Sequence, residues 1–242
     1  MAGTVTHIAI ADRINNILGD GIIKNLTLFF GGNIAPDAVH AKKDYQRTDK
    51  KRSHLCDGIR SYGYGYPEIA KLFKDRINNF IENYYMTAGE DRDLYLGYIV
   101  HLLVDEFYLL SFYERLENHL TDNGANPDEP GFRKKLADAI SDDPQFYNED
   151  YINFFKEASS MLEISANNYN FKQNVVDVLE AVWDYEVKDY IGANEINISK
   201  RWVINTFFKS EKTKSNDDYD TEIKFVDLAA ENIIERLHGI II

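Results

Sequence analysis

Residues 94–113 read LYLGYIVHLLVDEFYLLSFY, and this stretch decides the fold. Apolar side chains fall on every side of the helix that it predicts, which is typical of a helix buried in a protein core. His101 and Asp105 lie four residues apart within it, and this spacing places both side chains on one face. A buried carboxylate pairs with another group, shifts its pKa or binds a metal ion. The pair therefore marks a candidate site inside the core.

Three residues that precede the buried helix could join this pair. His7 lies in the first helical pattern, THIAIADRI, and His54 lies in KKRSHL. Asp37 ends GGNIAPD, which its two glycines and its proline predict to be a loop. Neutral imidazole and carboxylate groups suit zinc and related divalent ions, so the five residues together predict a metal site.

Helical periodicity dominates the rest of the chain, so we predict an all-α fold of many helices around the central buried one. The last pattern places one apolar stripe along its helix, formed by Ile223, Val226, Leu228, Ile233 and Leu237. Residues 22–30 could form a helix or a strand, and TDNGANPDEPG at 121–131 interrupts the helices. The helical patterns cover residues 5–18, 67–85, 131–141, 147–167, 171–191, 199–209 and 222–238.

We expect a single domain over residues 1–242. Its site-bearing helices would lie in about 1–120 and its supporting helices in about 131–242.

Composition and charge exclude several classes of protein. The net charge of −13 repels phosphate backbones, so bulk nucleic-acid binding is not expected. Cys56 is the only cysteine, which excludes an intrachain disulfide and a site built from several thiolates. The uncharged run from Leu94 to Val104 has eleven residues, against about 20 for a membrane span. Because the N-terminus also lacks a secretory signal pattern, we expect a cytoplasmic protein without a transmembrane segment; its oligomeric state stays open.

The order of these residues resembles the motifs of the zinc-dependent phospholipase C family, which shares its fold with S1/P1-type nucleases. The resemblance is carried by THIAIA, GGNIAPD, KRSHL and LGYIVHLLVDEFY, and it covers about residues 1–110. That family consists of all-helical metallohydrolases whose three zinc ions cleave phosphodiester bonds. The resemblance implies that Asp37, His54, His101 and Asp105 hold one zinc ion, and that Asp105 and His7 hold a second.

The remaining metal of the family has no matching ligands here. That ion is held by a histidine soon after the His-x-x-x-Asp motif and by a later His-x-x-x-Glu or His-x-x-x-Asp motif, whereas no histidine lies between His119 and His238. We therefore expect one or two zinc ions, with a third ion absent or held by carboxylates.

The resemblance implies a metal-dependent hydrolase whose substrate is a small-molecule or lipid phosphoester. Zinc would lower the pKa of bound water and polarise a phosphoryl oxygen, and Glu106 is a candidate general base. The main alternative is a non-catalytic member that keeps a structural or regulatory metal and binds a partner. A metal-free helical protein is a third interpretation. An HD-type phosphohydrolase is disfavoured because the chain contains no His-Asp dipeptide.

Each candidate ligand also has a purely structural interpretation. Asp37 could cap the helix that follows it, and His54 could lie on a solvated surface. His101 could be a core histidine that bonds to Asp105 or to a backbone carbonyl, and His7 could be satisfied locally. His40 is expected in solvent.

Overall fold

The computed structural model describes residues 3–19, 21–59, 67–122, 171, 175–181, 185–209 and 219–238, together with the single residues 124, 126 and 129. Within these residues the regular structure is helical and contains no strand, apart from one isolated bridge. The predicted all-α fold is therefore confirmed. The helices predicted at 131–141 and 147–167 lie outside the described residues, so the single domain and its two halves stay predictions.

The described part of the chain contains eight α-helices. A 3-10 turn follows the second helix at Val39–Ala41 and another precedes the fifth at Gly89–Asp91, while wider π-helical turns extend the fourth over Ile81–Tyr85 and the seventh over Ile204–Phe208. In chain order the helices are α1 Thr4–Leu18, α2 Leu26–Ala38, α3 Arg47–Ser53, α4 Pro67–Phe80, α5 Arg92–Asp122, α6 Val175–Glu180, α7 Ala193–Val203 and α8 Tyr219–His238.

Helix α5 is the centre of the fold, as its sequence predicts. Leu94, Tyr98, Ile99 and Leu102 are each fully buried. Helix α2 packs along α5 in the most extensive helix–helix contact of the described structure, and α1 and α8 also pack against α5. By length and composition the stretch Gly89–Ser111 could cross a membrane, but 83% of its most apolar window is buried inside the protein. A buried core helix passes the same test, so the composition is weak evidence for a span.

The loop predicted at residues 31–37 is wrong, because both glycines and Pro36 lie inside α2. Asn25 begins this helix, and its side-chain oxygen accepts a hydrogen bond from the Leu28 N–H at 3.1 Å. The ambiguous segment 22–30 thus becomes helical from Leu26 onward.

Gly32 of α2 and Gly97 of α5 allow the two helices to pack closely. A Cβ atom on Gly32 would overlap the carbonyl group of Leu94, and one on Gly97 would overlap that of Phe29. The backbones of α2 and α5 can therefore touch only because these two positions lack side chains.

The helix predicted over 171–191 is wrong in its second half. Helix α6 ends at Glu180, and residues 185–191 form a turn in which the Val187 N–H donates to the Ile191 carbonyl at 2.9 Å. Asp189 adopts a positive φ of 67°, which reverses the chain and cannot belong to a helix.

The apolar stripe predicted along the last helix is largely confirmed. Val226, Ile233 and Leu237 are buried in α8, but Leu228 is 59% exposed. The side chain of Ile223, the fifth member of the predicted stripe, lies outside the described ones. Leu228 follows Val226 by two residues, which places it on nearly the opposite side of a helix with 3.6 residues per turn.

Candidate metal centre

The structure brings the five predicted ligands together between α1, α2, α5 and the end of α3. Their donor atoms form two overlapping groups in which all atoms lie within 4.8 Å of one another. The first group contains His7, His101 and Asp105, and the second contains Asp37, His54 and His101. His101 thus belongs to both groups.

The Asp105 carboxylate faces both groups with different oxygens. Its Oδ1 lies 3.3 Å from His7 Nε2, whereas its Oδ2 lies 3.6 Å from His54 Nε2 and 3.8 Å from His101 Nε2. The residue is only 4% exposed. Two oxygens that point to two neighbouring donor sets give the arrangement that a carboxylate shared by two ions would need.

Hydrogen bonds to backbone carbonyls determine which ring nitrogen carries the proton in two of the histidines. The His101 Nδ1–H donates to the Asn33 carbonyl at 2.6 Å, and the His54 Nδ1–H donates to the Lys50 carbonyl at 2.9 Å. A carbonyl oxygen can only accept, so in each neutral ring Nε2 carries the lone pair. These two Nε2 atoms lie 3.3 Å apart. Two lone pairs at that distance repel each other unless a cation lies between them, so the donor set fits a metal ion.

His54 is held in the core although its sequence segment is basic. It follows α3 directly, is 3% exposed, and is therefore not the solvated surface residue that was the alternative. The Ser53 hydroxyl donates to the Pro36 carbonyl at 2.8 Å, and the Tyr98 hydroxyl donates to the Ser53 carbonyl. These bonds attach the end of α3 to α2 and α5.

Asp37 lies in the last turn of α2 and does not cap a helix. The turn that follows has Ala38 as its N-terminal cap and receives no side-chain hydrogen bond there, so the capping alternative is wrong. The Asp37 Oδ1 instead accepts a hydrogen bond from Lys50 Nζ at 3.0 Å and lies 3.4 Å from His54 Nε2.

The charges of the site suit metal binding. Burial raises the pKa of Asp105, but the neighbouring histidine rings, with His7 the main contributor, together hold the pKa below its ordinary value. Burial likewise raises the pKa of Asp37, but its neighbours His54, His101 and Lys50 together bring it well below its ordinary value. Burial lowers the pKa of His101 well below 6.5. At neutral pH both carboxylates are therefore anionic and His101 is neutral, which are the forms that bind metals.

His7 completes one side of the site. Its ring stacks on the His101 ring with centroids 3.7 Å apart and planes within 2°. The residue is 1% exposed, and neither ring nitrogen makes a hydrogen bond in the described structure, although Nε2 lies 3.3 Å from Asp105. A buried polar atom without a hydrogen bond is costly, and a bound cation would remove that cost.

The sequence model of the family described as zinc dependent phospholipase C matches residues 6–207. The chain belongs to this family. The match contains all five site residues and extends well beyond the segment of about 1–110 that carries the motifs. Comparisons with curated proteins and with solved structures gave no match. Membership and the His/Asp groups support zinc as the metal and a metal-dependent, phosphoesterase-like function.

A cavity of about 470 Å³ opens beside the metal centre of this phospholipase C family member. His7, Asp37 and His101 form its polar side, and Ile198 and Trp202 from α7 form part of its apolar side. The described residues that line it are Thr4, His7, Asn33, Ile34, Asp37, His40, Ala41, Lys50, His101, Ile198, Ser199 and Trp202.

Asn33 was not predicted to belong to the cavity, although a simple signal in the sequence could have found it. Asn33 precedes Asp37 by four residues and Lys50 precedes His54 by four, which is the same spacing that links His101 to Asp105. Asn33 is fully buried, and its side-chain amide has no hydrogen-bond partner in the described structure. Trp202, by contrast, is 54% exposed and lies on a helix far away in the sequence, so no local pattern connects it with the site.

Other candidates lie away from the donor groups. Glu106 is buried but contacts Arg236 of α8, and it is not among the described residues that line the cavity. Its role as general base therefore stays a prediction without support from the geometry. Cys56 is half-buried and its Sγ donates to the His54 carbonyl at 3.1 Å. His40 is exposed, as expected, but it also lines the cavity.

Proposed function

We propose that this protein is a zinc-dependent hydrolase that cleaves phosphodiesters. One observation carries the proposal. The Nε2 atoms of His54 and His101 face each other at 3.3 Å, with both Nδ1 protons donated to carbonyls, between the carboxylates of Asp37 and Asp105. Such a buried set of lone pairs and negative charges, open to a cavity, is suited to divalent cations and to catalysis on a bound phosphoester.

Each side chain would have a defined part in the reaction. Asp37, His54 and His101 would hold one ion, His7 would hold a second, and Asp105 would be shared between them. Bound zinc lowers the pKa of water and polarises phosphoryl oxygens. The carbonyl that accepts from each Nδ1–H keeps the ring in the orientation and tautomer that binding requires.

The cavity favours a substrate with two different parts. Its polar side would receive an anionic phosphoryl group at the metal centre. Ile198 and Trp202 are one helical turn apart on α7 and are 37% and 54% exposed, so they would contact an apolar substituent. A phospholipid or a small phosphodiester with an apolar group has this composition.

The test is hydrolysis of bis-p-nitrophenyl phosphate by the purified full-length protein. We expect the activity to disappear with a chelator and to return with zinc. His54→Ala should abolish it because a donor is lost, and His238→Ala should leave it unchanged because His238 is exposed at the end of α8. Equal activity of the two variants would contradict the proposal.

A non-catalytic metal-binding protein is the second candidate. The number of donor groups favours this candidate. The described residues supply two such groups, whereas enzymes of the family cleave their substrates with three ions. A zinc-loaded protein that hydrolyses neither diesters nor monoesters would support this alternative.

A further inference from the structure

We propose that Lys50 contacts the substrate, with its ammonium group binding a non-bridging phosphoryl oxygen in the cavity beside the metal centre. The kind of substrate rests on the proposed function. The inference adds the protein group that binds the negative charge of that substrate.

The position of Lys50 is suited to contact with a substrate in the cavity. It lies one helical turn before His54 and lines the cavity together with Asp37 and His40. Its Nζ lies 3.0 Å from Asp37 Oδ1 and 3.3 Å from His40 Nε2, and its side chain is 24% exposed. The ammonium group is therefore fixed by two residues of the cavity wall and is still accessible from the cavity.

The ammonium group of Lys50 also has hydrogen-bonding capacity left for a ligand. An ammonium group has three donors and no acceptor, so His40 Nε2 must accept at this contact. Asp37 and His40 use two of the three donors among the described contacts of Lys50. The remaining donor can bind a ligand that enters the cavity.

The charges around the cavity favour a role for Lys50 in binding an anion. The protein has a net charge of −13, and the two carboxylates at the metal centre offset part of the charge of any bound metal ion, so a positive side chain beside the centre favours the binding of a phosphoester anion. Lys50 is the only lysine or arginine among the described residues that line the cavity. A cation held at the centre also attracts the Asp37 carboxylate, which weakens the hold of Asp37 on Lys50 and leaves the ammonium group to the substrate.

Lys42 provides a matched control for this lysine. It belongs to the same stretch rich in lysine and arginine, residues 42–52. Its Nζ lies 3.2 Å from Asp49 Oδ1, and its side chain is 33% exposed. Replacing it changes the net charge by the same amount, but Lys42 does not line the cavity.

The experiment measures the binding of inorganic phosphate to the zinc-loaded full-length protein by calorimetry, together with zinc content and melting temperature. We expect Lys50→Met to weaken phosphate binding about tenfold to a hundredfold at unchanged zinc content, because a charge-assisted hydrogen bond is lost. Lys50→Arg should keep most of the affinity, and Lys42→Met should bind as the wild type does. Phosphate affinity that is equal in Lys50→Met and the wild type would overturn the inference. Loss of zinc in Lys50→Met would also overturn it, because Lys50 would then act by supporting Asp37.

The same variants separate this inference from the proposed function. Hydrolysis that proceeds equally well in Lys50→Met and the wild type would contradict the inference alone. Phosphate binding that depends on Lys50, in a protein inert toward every phosphoester, would contradict the proposed function alone. A zinc-loaded wild type that does not bind phosphate at millimolar concentrations would overturn the inference.

Discussion

Replacing Asp105 by asparagine should remove most of the stability that zinc gives to this protein. Asp105 lies 3.3–3.8 Å from three histidine nitrogens and is 4% exposed. Asparagine keeps the size of the side chain and one carbonyl oxygen, but it lacks the negative charge and the second acceptor oxygen. The variant thus weakens both donor groups without opening a cavity in the core.

The magnitude follows from the linkage between binding and folding. An ion that binds only the folded state at a concentration one hundred times its Kd adds about 2.7 kcal/mol to the free energy of unfolding. If Asp105→Asn weakens binding about a hundredfold, the same zinc concentration adds only about 0.4 kcal/mol. The difference of about 2.3 kcal/mol corresponds to about 5–9 °C in melting temperature for a chain of this length.

The assay compares melting temperatures with chelator and with zinc, so that the zinc-dependent increment is measured for each protein. Asp93→Asn is a suitable control because Asp93 is also buried, at 6% exposure, and accepts hydrogen bonds from the Lys24 and Asn25 N–H groups. This control should lower both melting temperatures by similar amounts and keep the increment. An increment in Asp105→Asn as large as in the wild type would refute the assignment of Asp105 as a ligand.

Two further predictions concern pH and packing. Because the folded-state pKa of His101 lies below 6.5, the unfolded chain binds more protons below that pH, and stability falls as the pH drops. In chelator we expect the wild type to melt at a lower temperature at pH 5.5 than at pH 7.5. The difference between these two melting temperatures should be smaller in His101→Gln. An equal difference in the two proteins would show that His101 does not cause the loss of stability. Gly97→Ala should destabilise the protein severely, because its Cβ would overlap the backbone of Phe29, whereas Gly21→Ala should be tolerated because the space around Gly21 is open. Similar melting temperatures for the two glycine variants would show that α2 and α5 do not pack as closely as described.

The part of the site that lies on one helix could be predicted from the sequence directly. The spacing of His101 and Asp105 fixes their common face once the helix is recognised, and the surrounding apolar residues fix its burial. The same reasoning would have found Asn33 beside Asp37, had α2 been recognised as a helix. Local rules determine such pairs because both members share one rigid backbone.

The convergence of separate elements could not be predicted from local patterns. His7 and His54 lie far from α5 in the sequence, and their approach depends on how α1 and the end of α3 pack. Their order along the chain, compared with the family, supplied this information. No such order connects Trp202 with the cavity, so its position became visible only in the structure.

The error in GGNIAPD shows why local propensity failed at α2. Glycine in a helix interior costs about 0.5–1 kcal/mol relative to alanine, so two glycines and a proline favour a loop when the segment is considered alone. In the folded protein Gly32 allows the α2 backbone to touch the carbonyl of Leu94, and the long contact between α2 and α5 offsets that cost. This close packing also carries Asp37 to His54 and brings the Asn33 carbonyl within 2.6 Å of His101 Nδ1. Gly32, one of the residues that made the helix hard to recognise, therefore also allows it to complete the metal centre.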